Sequence, residues 1–89
     1  MQKSLKSAEY GRVIEILVAA RHEAGIRQQA LATKLRRPQS FIAKYEGGER
    51  RIDVIEFIAI ARALGADPLK LFNEFLAEKP LKSPRRPTR

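Results

Sequence analysis

Between Ala8 and Ala24 the apolar residues Tyr10, Val13, Ile14, Leu17, Val18 and Ala20 recur at steps of three and four, the spacing of one helix face, and Gly25 supplies a left-handed stop. A second stripe, Leu31, Ala32 and Leu35, predicts a helix from Gln28 to Leu35 that is too short to hold without tertiary packing. Arg36-Arg37-Pro38 breaks it, because proline disfavours helical backbone at Arg37 while its own fixed φ suits the first turn of a new helix. That third helix is expected from about Pro38 to Glu46. Its core side is Ile42 and Tyr45, with Phe41 on the border, and Gly47-Gly48 ends it. Asp53, with Glu56 three residues on, forms a capping-box pair for a fourth helix that should bury Val54, Phe57, Ile58, Ala61 and Leu64 and stop at Gly65. Asp67-Pro68 is a cap followed by proline at the first helical position, opening a fifth helix to about Ala77.

No segment alternates with period two for long enough to propose a strand, and no repeat is visible. The expected fold is all-α, five short helices in one domain over residues 8–78, preceded by a flexible N-terminus at 1–7. The end of the chain has three prolines in its last ten residues and almost no apolar content, so 79–89 is expected to be a disordered basic tail.

Composition removes several classes of function. With no cysteine and a single histidine, His22, there is no disulfide framework, thiolate metal site or cysteine nucleophile, and no cofactor or metal is expected. His22 reads as a surface residue. There is no Gly-rich phosphate loop and no paired carboxylates in a plausible cleft, so an enzyme is the last choice. No apolar run is long enough to span a bilayer, and the N-terminus lacks the apolar core of a secretory signal. The expected compartment is the cytoplasm.

Charge sharpens this picture through its distribution. The chain holds 18 Lys and Arg against 10 Asp and Glu, a net charge of +8. Residues 27–51 carry seven bases against Glu46 and Glu49, whereas the rest of 8–78 carries four bases against eight acids. One contiguous basic segment flanked by acidic ones is the footprint of a nucleic-acid reader rather than of a uniformly solvated surface. The basic segment coincides with the two short helices and their break, which together describe a helix-turn-helix whose second helix enters the major groove.

The stretches RQQALATKL and RPQSFIAKYEGGER, followed by the helix ending ALGADP, resemble the XRE family, the Cro- and phage-repressor-like helix-turn-helix domains of bacteria and their viruses. The resemblance runs from Ile14 to about Leu71 and implies a lambda-repressor-like domain. It further implies that Gln28 bonds a backbone phosphate and braces the recognition helix, that Gln39, Ser40 and Lys44 read base edges, and that Arg21 and Glu46 form a mostly buried structural ion pair. Residue chemistry agrees on the readers. Positions 39, 40 and 44 lie opposite Ile42 and Tyr45 on a helix, glutamine pairs with adenine N6 and N7, and lysine donates to guanine O6 and N7. Phe41 stays open between a thymine-methyl contact and half-buried packing. Lys34, Arg36, Arg37, Arg50 and Arg51 are placed to neutralise phosphates on either side of the groove.

Three positions depart from the family pattern. Arg27 and Pro38 stand where a hydroxyl residue usually caps the second and third helices, and Arg36 stands where glycine is common, at a cost of about 1 kcal/mol if its φ is positive.

The fifth helix is apolar on two faces, one made of Leu69, Phe72 and Leu76 and the other of Leu71 and Phe75. Leu71 and Phe75 are expected to meet a symmetry mate, the competing arrangement being that they pack on the first helix. The expected activity is sequence-specific binding of double-stranded DNA, at an inverted-repeat operator, by a homodimeric transcriptional regulator acting as a repressor. The alternatives are a DNA-binding antitoxin, a restriction–modification controller, or a helical protein-interaction adaptor.

Overall fold

The computed structural model describes residues 7–77, and the expected disordered tail lies outside the described residues. Five helices follow in order: α1 (Ala8–Ala24), α2 (Gln28–Leu35), α3 (Gln39–Glu46), α4 (Val54–Ala63) and α5 (Pro68–Ala77). No strand occurs among the described residues. Ser7 starts α1, its hydroxyl accepting from the Tyr10 N–H at 3.0 Å. Asp53 and Glu56 form the expected capping box on α4, and Asp67 Oδ1 accepts from the Leu69 N–H at 3.0 Å to open α5. Pro38 stands just before α3 rather than beginning it, in extended backbone with ψ 154°.

The α2–α3 pair packs with α1 and α4 around a core in which Leu17, Leu31, Ile42, Tyr45 and Ile60 are fully buried. Tyr10 closes one end of that core. Its hydroxyl donates to the Arg50 carbonyl at 3.1 Å and accepts from the Ile52 N–H at 3.0 Å, tying α1 to the loop before α4.

Two expectations about burial need correction. Val54 is 70% exposed, and Phe57 and Ile58 are only half-buried, whereas Ile60, absent from the expected core of α4, is completely buried. The inward stripe of α4 is Phe57, Ile60, Ala61 and Leu64. Seven apolar residues among its first eight leave periodicity unable to choose that face. In α5 it is Leu71 that is buried and Phe75 that is half-buried, while Leu69 is 66% and Leu76 62% exposed. Arg12 of α1 meets Phe75 twice: its Nη2 donates to the Phe75 carbonyl at 3.2 Å, and its guanidinium lies 4.9 Å from the ring centroid. Leu71 is thus buried within the protomer, while Phe75 is half covered by α1 and still lines the open groove between α1, α4 and α5.

Helices α1 to α4 end with one device, in which two N–H groups fold back onto carbonyls of the last turn and a residue adopts the left-handed conformation. Glycine fills that place in three of them, and Arg36 fills it after α2, with φ 58° and ψ 44°. A side chain there costs on the order of 1 kcal/mol relative to glycine. We therefore expect Arg36→Gly to stabilise the domain by roughly 0.5 kcal/mol, after the extra unfolded-state entropy of glycine is deducted, and to raise Tm by about 2–4 degrees in a thermal melt. An unchanged or lower Tm would mean that the arginine is not strained.

Candidate nucleic-acid interface

Helix α3 divides cleanly. Phe41, Ile42 and Tyr45 face the core, and Gln39, Ser40, Ala43 and Lys44 face solvent. The three residues assigned to base reading therefore share one exposed surface, joined by Ala43, a methyl-bearing position that sequence reasoning passed over although its spacing from Gln39 and Ser40 marks the same face. Phe41 is buried and makes an edge contact with Tyr45 at 5.5 Å between ring centroids, which favours packing over a thymine-methyl contact. Burial raises the Tyr45 hydroxyl's pKa.

A chain of polar contacts fixes α3 from below. Arg21 Nε donates to Glu46 Oε2 at 2.7 Å, and Arg21 Nη2 donates to Glu46 Oε1 at 3.0 Å. Arg21 Nη1 also donates to the Ile26 carbonyl at 2.9 Å. The pair is nearly sealed, with side-chain exposures of 11% and 9%, and the bond to Glu46 raises the arginine's pKa further. Gln28, the first residue of α2, donates from Nε2 to Glu46 Oε1 at 2.8 Å, which directs its carbonyl oxygen to the other side, where Gln39 Nε2 donates to it at 3.2 Å. The path from α1 to the reading face thus runs Arg21, Glu46, Gln28, Gln39. The bond to Gln28 uses one amide hydrogen of Gln39, and the carbonyl oxygen and second hydrogen are the pair with which glutamine meets adenine.

The helix-turn-helix also differs from the other helices at its N-termini. Neither Arg27 nor Pro38 provides a side-chain cap, and neither α2 nor α3 has an acidic residue in its first turn. By contrast α1 and α4 have both a cap and an acid. First-turn N–H groups and an uncompensated positive dipole end are suited to an anionic oxygen.

The expected backbone contacts fall into three settings. Lys34 and Arg36 are exposed on α2 and its end. Arg37 and Arg50 converge on Phe41 from the two ends of α3, their guanidinium carbons 4.2 and 4.7 Å from the ring centroid. Both are bonded to Glu56, Arg37 Nη2 to Oε2 at 3.1 Å and Arg50 through Nη1 to Oε1 and Nη2 to Oε2, each at 3.1 Å. Arg51 is not brought to this cluster. It stands 4.6 Å over the Tyr10 ring, beside α1.

Sequence reasoning saw Glu56 only as a capping residue. Spacing predicts its bond to the Asp53 N–H, but its arginine partners come from 6 and 19 residues away and become visible only once α3 and α4 pack. The bonds from Arg50, followed by those from the Asp53 backbone and Arg37, outweigh burial and hold the Glu56 carboxyl down at about 2 from its ordinary 4.5. A lowered folded-state pKa contributes stability that is fully present above the ordinary value and is lost as pH falls through the folded one. We expect the melting temperature to fall as pH drops from about 4.5 to about 2, and a Glu56→Gln variant to show a shallower fall over that window. Parallel curves for the two proteins would exclude the cluster as the source.

Among the described residues, no group of three His, Asp or Glu side chains could hold a metal, and no helix is long and apolar enough to cross a membrane. Residues 16–71 match the helix-turn-helix domain family. No curated protein gives a match. Among solved structures, an XRE-family like protein from Pseudomonas syringae pv. tomato is 47% identical and superposes with a TM-score of 0.77, over 79% of this chain and 85% of that one. The clp gene regulator ClgR from C. glutamicum is 20% identical with a TM-score of 0.70, over 91% of this chain and all of the other, a likeness of fold. With its match over 16–71 and that 47% identity, the chain belongs to the XRE family of helix-turn-helix domains.

Proposed function

We propose that this protein binds double-stranded DNA at a defined sequence, with α3 in the major groove, and regulates transcription as a repressor by occupying the operator. The observation that carries this reading is the contact chain from Arg21 through Glu46 and Gln28 to Gln39, which holds an exposed amide on α3 in position before any ligand arrives. Preorganised polar groups on a helix suit base-edge recognition, and the uncapped starts of α2 and α3 suit the phosphates on either side. In this reading Gln39, Ser40 and Lys44 read bases, while Gln28, Lys34, Arg36, Arg37 and Arg50 meet the backbone. Residues 8–78 are the binding unit, the basic charge at 79–89 adds salt-sensitive affinity, and the protein works on the nucleoid in the cytoplasm.

The operator is read as an inverted repeat by a two-fold dimer, whose interface we assign to the outer side of α5 and the start of α4. Leu69, Phe72 and Leu76 form an exposed apolar ridge, beside which an open groove of about 600 Å³ runs between α1, α4 and α5 and includes Val54 and Phe57. A ridge and a groove side by side on one face are self-complementary under a two-fold axis. The dimer would set its recognition helices about 34 Å apart, one turn of duplex. We expect Phe72→Asp, at a half-exposed position, to leave the fold intact and convert the dimer to monomer in sedimentation equilibrium. A wild-type monomer at micromolar concentration would remove the dimer from the proposal.

The DNA-binding surface is tested by amide chemical-shift mapping during titration with duplex. Perturbations concentrated at residue 28, across 36–44 and at 50 are expected. Perturbations centred on α5, or none, would overturn the assignment.

A further inference from the structure

The cluster around Phe41 places a carboxylate against two of the arginines assigned to phosphate binding. We infer that Glu56 limits the protein's affinity for DNA without touching it, by holding Arg37 and Arg50 in an ion-paired group that phosphate has to compete for. The inference rests on the DNA-binding reading above.

Three features make Glu56 a competitor rather than a bystander. Its carboxylate is anchored on its own helix, Oε1 accepting from the Asp53 N–H at 2.9 Å, so it does not follow the arginines if they move. Its bonds are specific, bidentate to Arg50 and single to Arg37, and its side chain is 13% exposed while each arginine is 40% exposed. The two guanidinium groups also rest against Phe41, which holds them beside the carboxylate and at the ends of α3. A DNA backbone approaching α3 therefore meets a group of net charge +1 rather than +2.

The two arginines are unequally committed. Arg50 spends three N–H groups, two on Glu56 and one on the Arg51 carbonyl at 2.8 Å, whereas Arg37 spends one. Arg37 is the side chain that exchanges carboxylate for phosphate, and Arg50 meets the backbone with its two remaining N–H groups while it stays paired to Glu56. With its pKa at about 2, the Glu56 carboxyl is ionised throughout the neutral range, so the restraint is permanent rather than pH-switched. Because no base is involved, it lowers affinity for every sequence by the same factor.

The test compares wild type with Glu56→Gln, binding a random-sequence duplex and a selected operator duplex over a series of salt concentrations. Glutamine at this position still serves the capping box. The variant is expected to bind both duplexes several-fold more tightly, by an equal factor, with the slope of log affinity against log salt steeper by about 1, because the group then presents a net charge of +2 rather than +1 to the phosphates. An unchanged slope, or a gain on one duplex alone, would overturn the inference. In the unmodified protein, the Arg37 guanidinium resonance is expected to shift on duplex addition, and by more than that of Arg50. An Arg37 signal that stays where it is would also overturn the inference, whatever the variant does. If wild type and variant both fail to bind duplex, the DNA-binding reading itself falls; if wild type binds and the slope is unchanged, only the role of Glu56 falls.

Discussion

Glu46→Ala is expected to cost about 3–5 kcal/mol, because it leaves the Arg21 guanidinium in a nearly sealed site with no anion, only the Ile26 carbonyl and the neutral His22 ring nitrogen at 3.3 Å. A small domain has on the order of 5 kcal/mol in total, so this variant should be largely unfolded near 37 °C. Arg21→Ala should behave alike, stranding the carboxylate with only the neutral Gln28 amide. A buried pair is costly to break but not costly to remove whole, so Arg21→Met/Glu46→Leu should recover most of the stability in urea denaturation. The double variant is nonetheless expected to bind DNA poorly. Gln28 then has no acceptor for its Nε2, and nothing dictates which end of its amide faces Gln39. Recovery of both stability and affinity would show that the pair serves folding alone.

Gln39→Ala produces the second large effect, on affinity rather than on stability. Its bond to Gln28 is exposed, so removal should change the urea midpoint by less than the equivalent of about 0.5 kcal/mol. On the operator it should cost about 1–3 kcal/mol, or roughly 5- to 150-fold, as a bidentate base contact is lost. Affinity for random duplex and the salt slope should hardly change, since no phosphate contact goes with it. Titration of one duplex pair at two salt concentrations reads all three quantities. An equal loss on operator and random duplex would place Gln39 among the backbone contacts instead.

The helix-turn-helix was legible in the chain because its signals are local. Arg36-Arg37-Pro38 interrupts the periodicity, Gly25 and Gly65 stop helices on their own, and the basic residues of 27–51 fall on the same stretch. The division of α3 into Ile42 and Tyr45 inside and Gln39, Ser40 and Lys44 outside follows from eight residues at helical spacing. What the chain concealed depends on partners brought from afar. The apolar residues of α5 suit either of two faces, and contacts brought from afar, such as that of Arg12 with Phe75 sixty-three residues on, accompany the choice of the one turned inward. In α4, Val54 and Ile60 are equally apolar, and only the packing of α4 among α1, α2 and α5 buries the second and leaves the first exposed. Glu56 carries a complete local explanation as a capping residue, which hid its two arginines. Gln28 was expected to brace α3, but its dependence on Glu46 needs the three helices together.

The central claim, that the solvent face of α3 reads sequence, is tested most directly by selecting bound duplexes from a random library at roughly physiological salt, where nonspecific phosphate binding is suppressed. The account predicts a two-fold-symmetric site whose half-sites change when the selection is repeated with Gln39→Ala or Lys44→Ala. Recovery of no motif, with binding that disappears as salt rises, would contradict it.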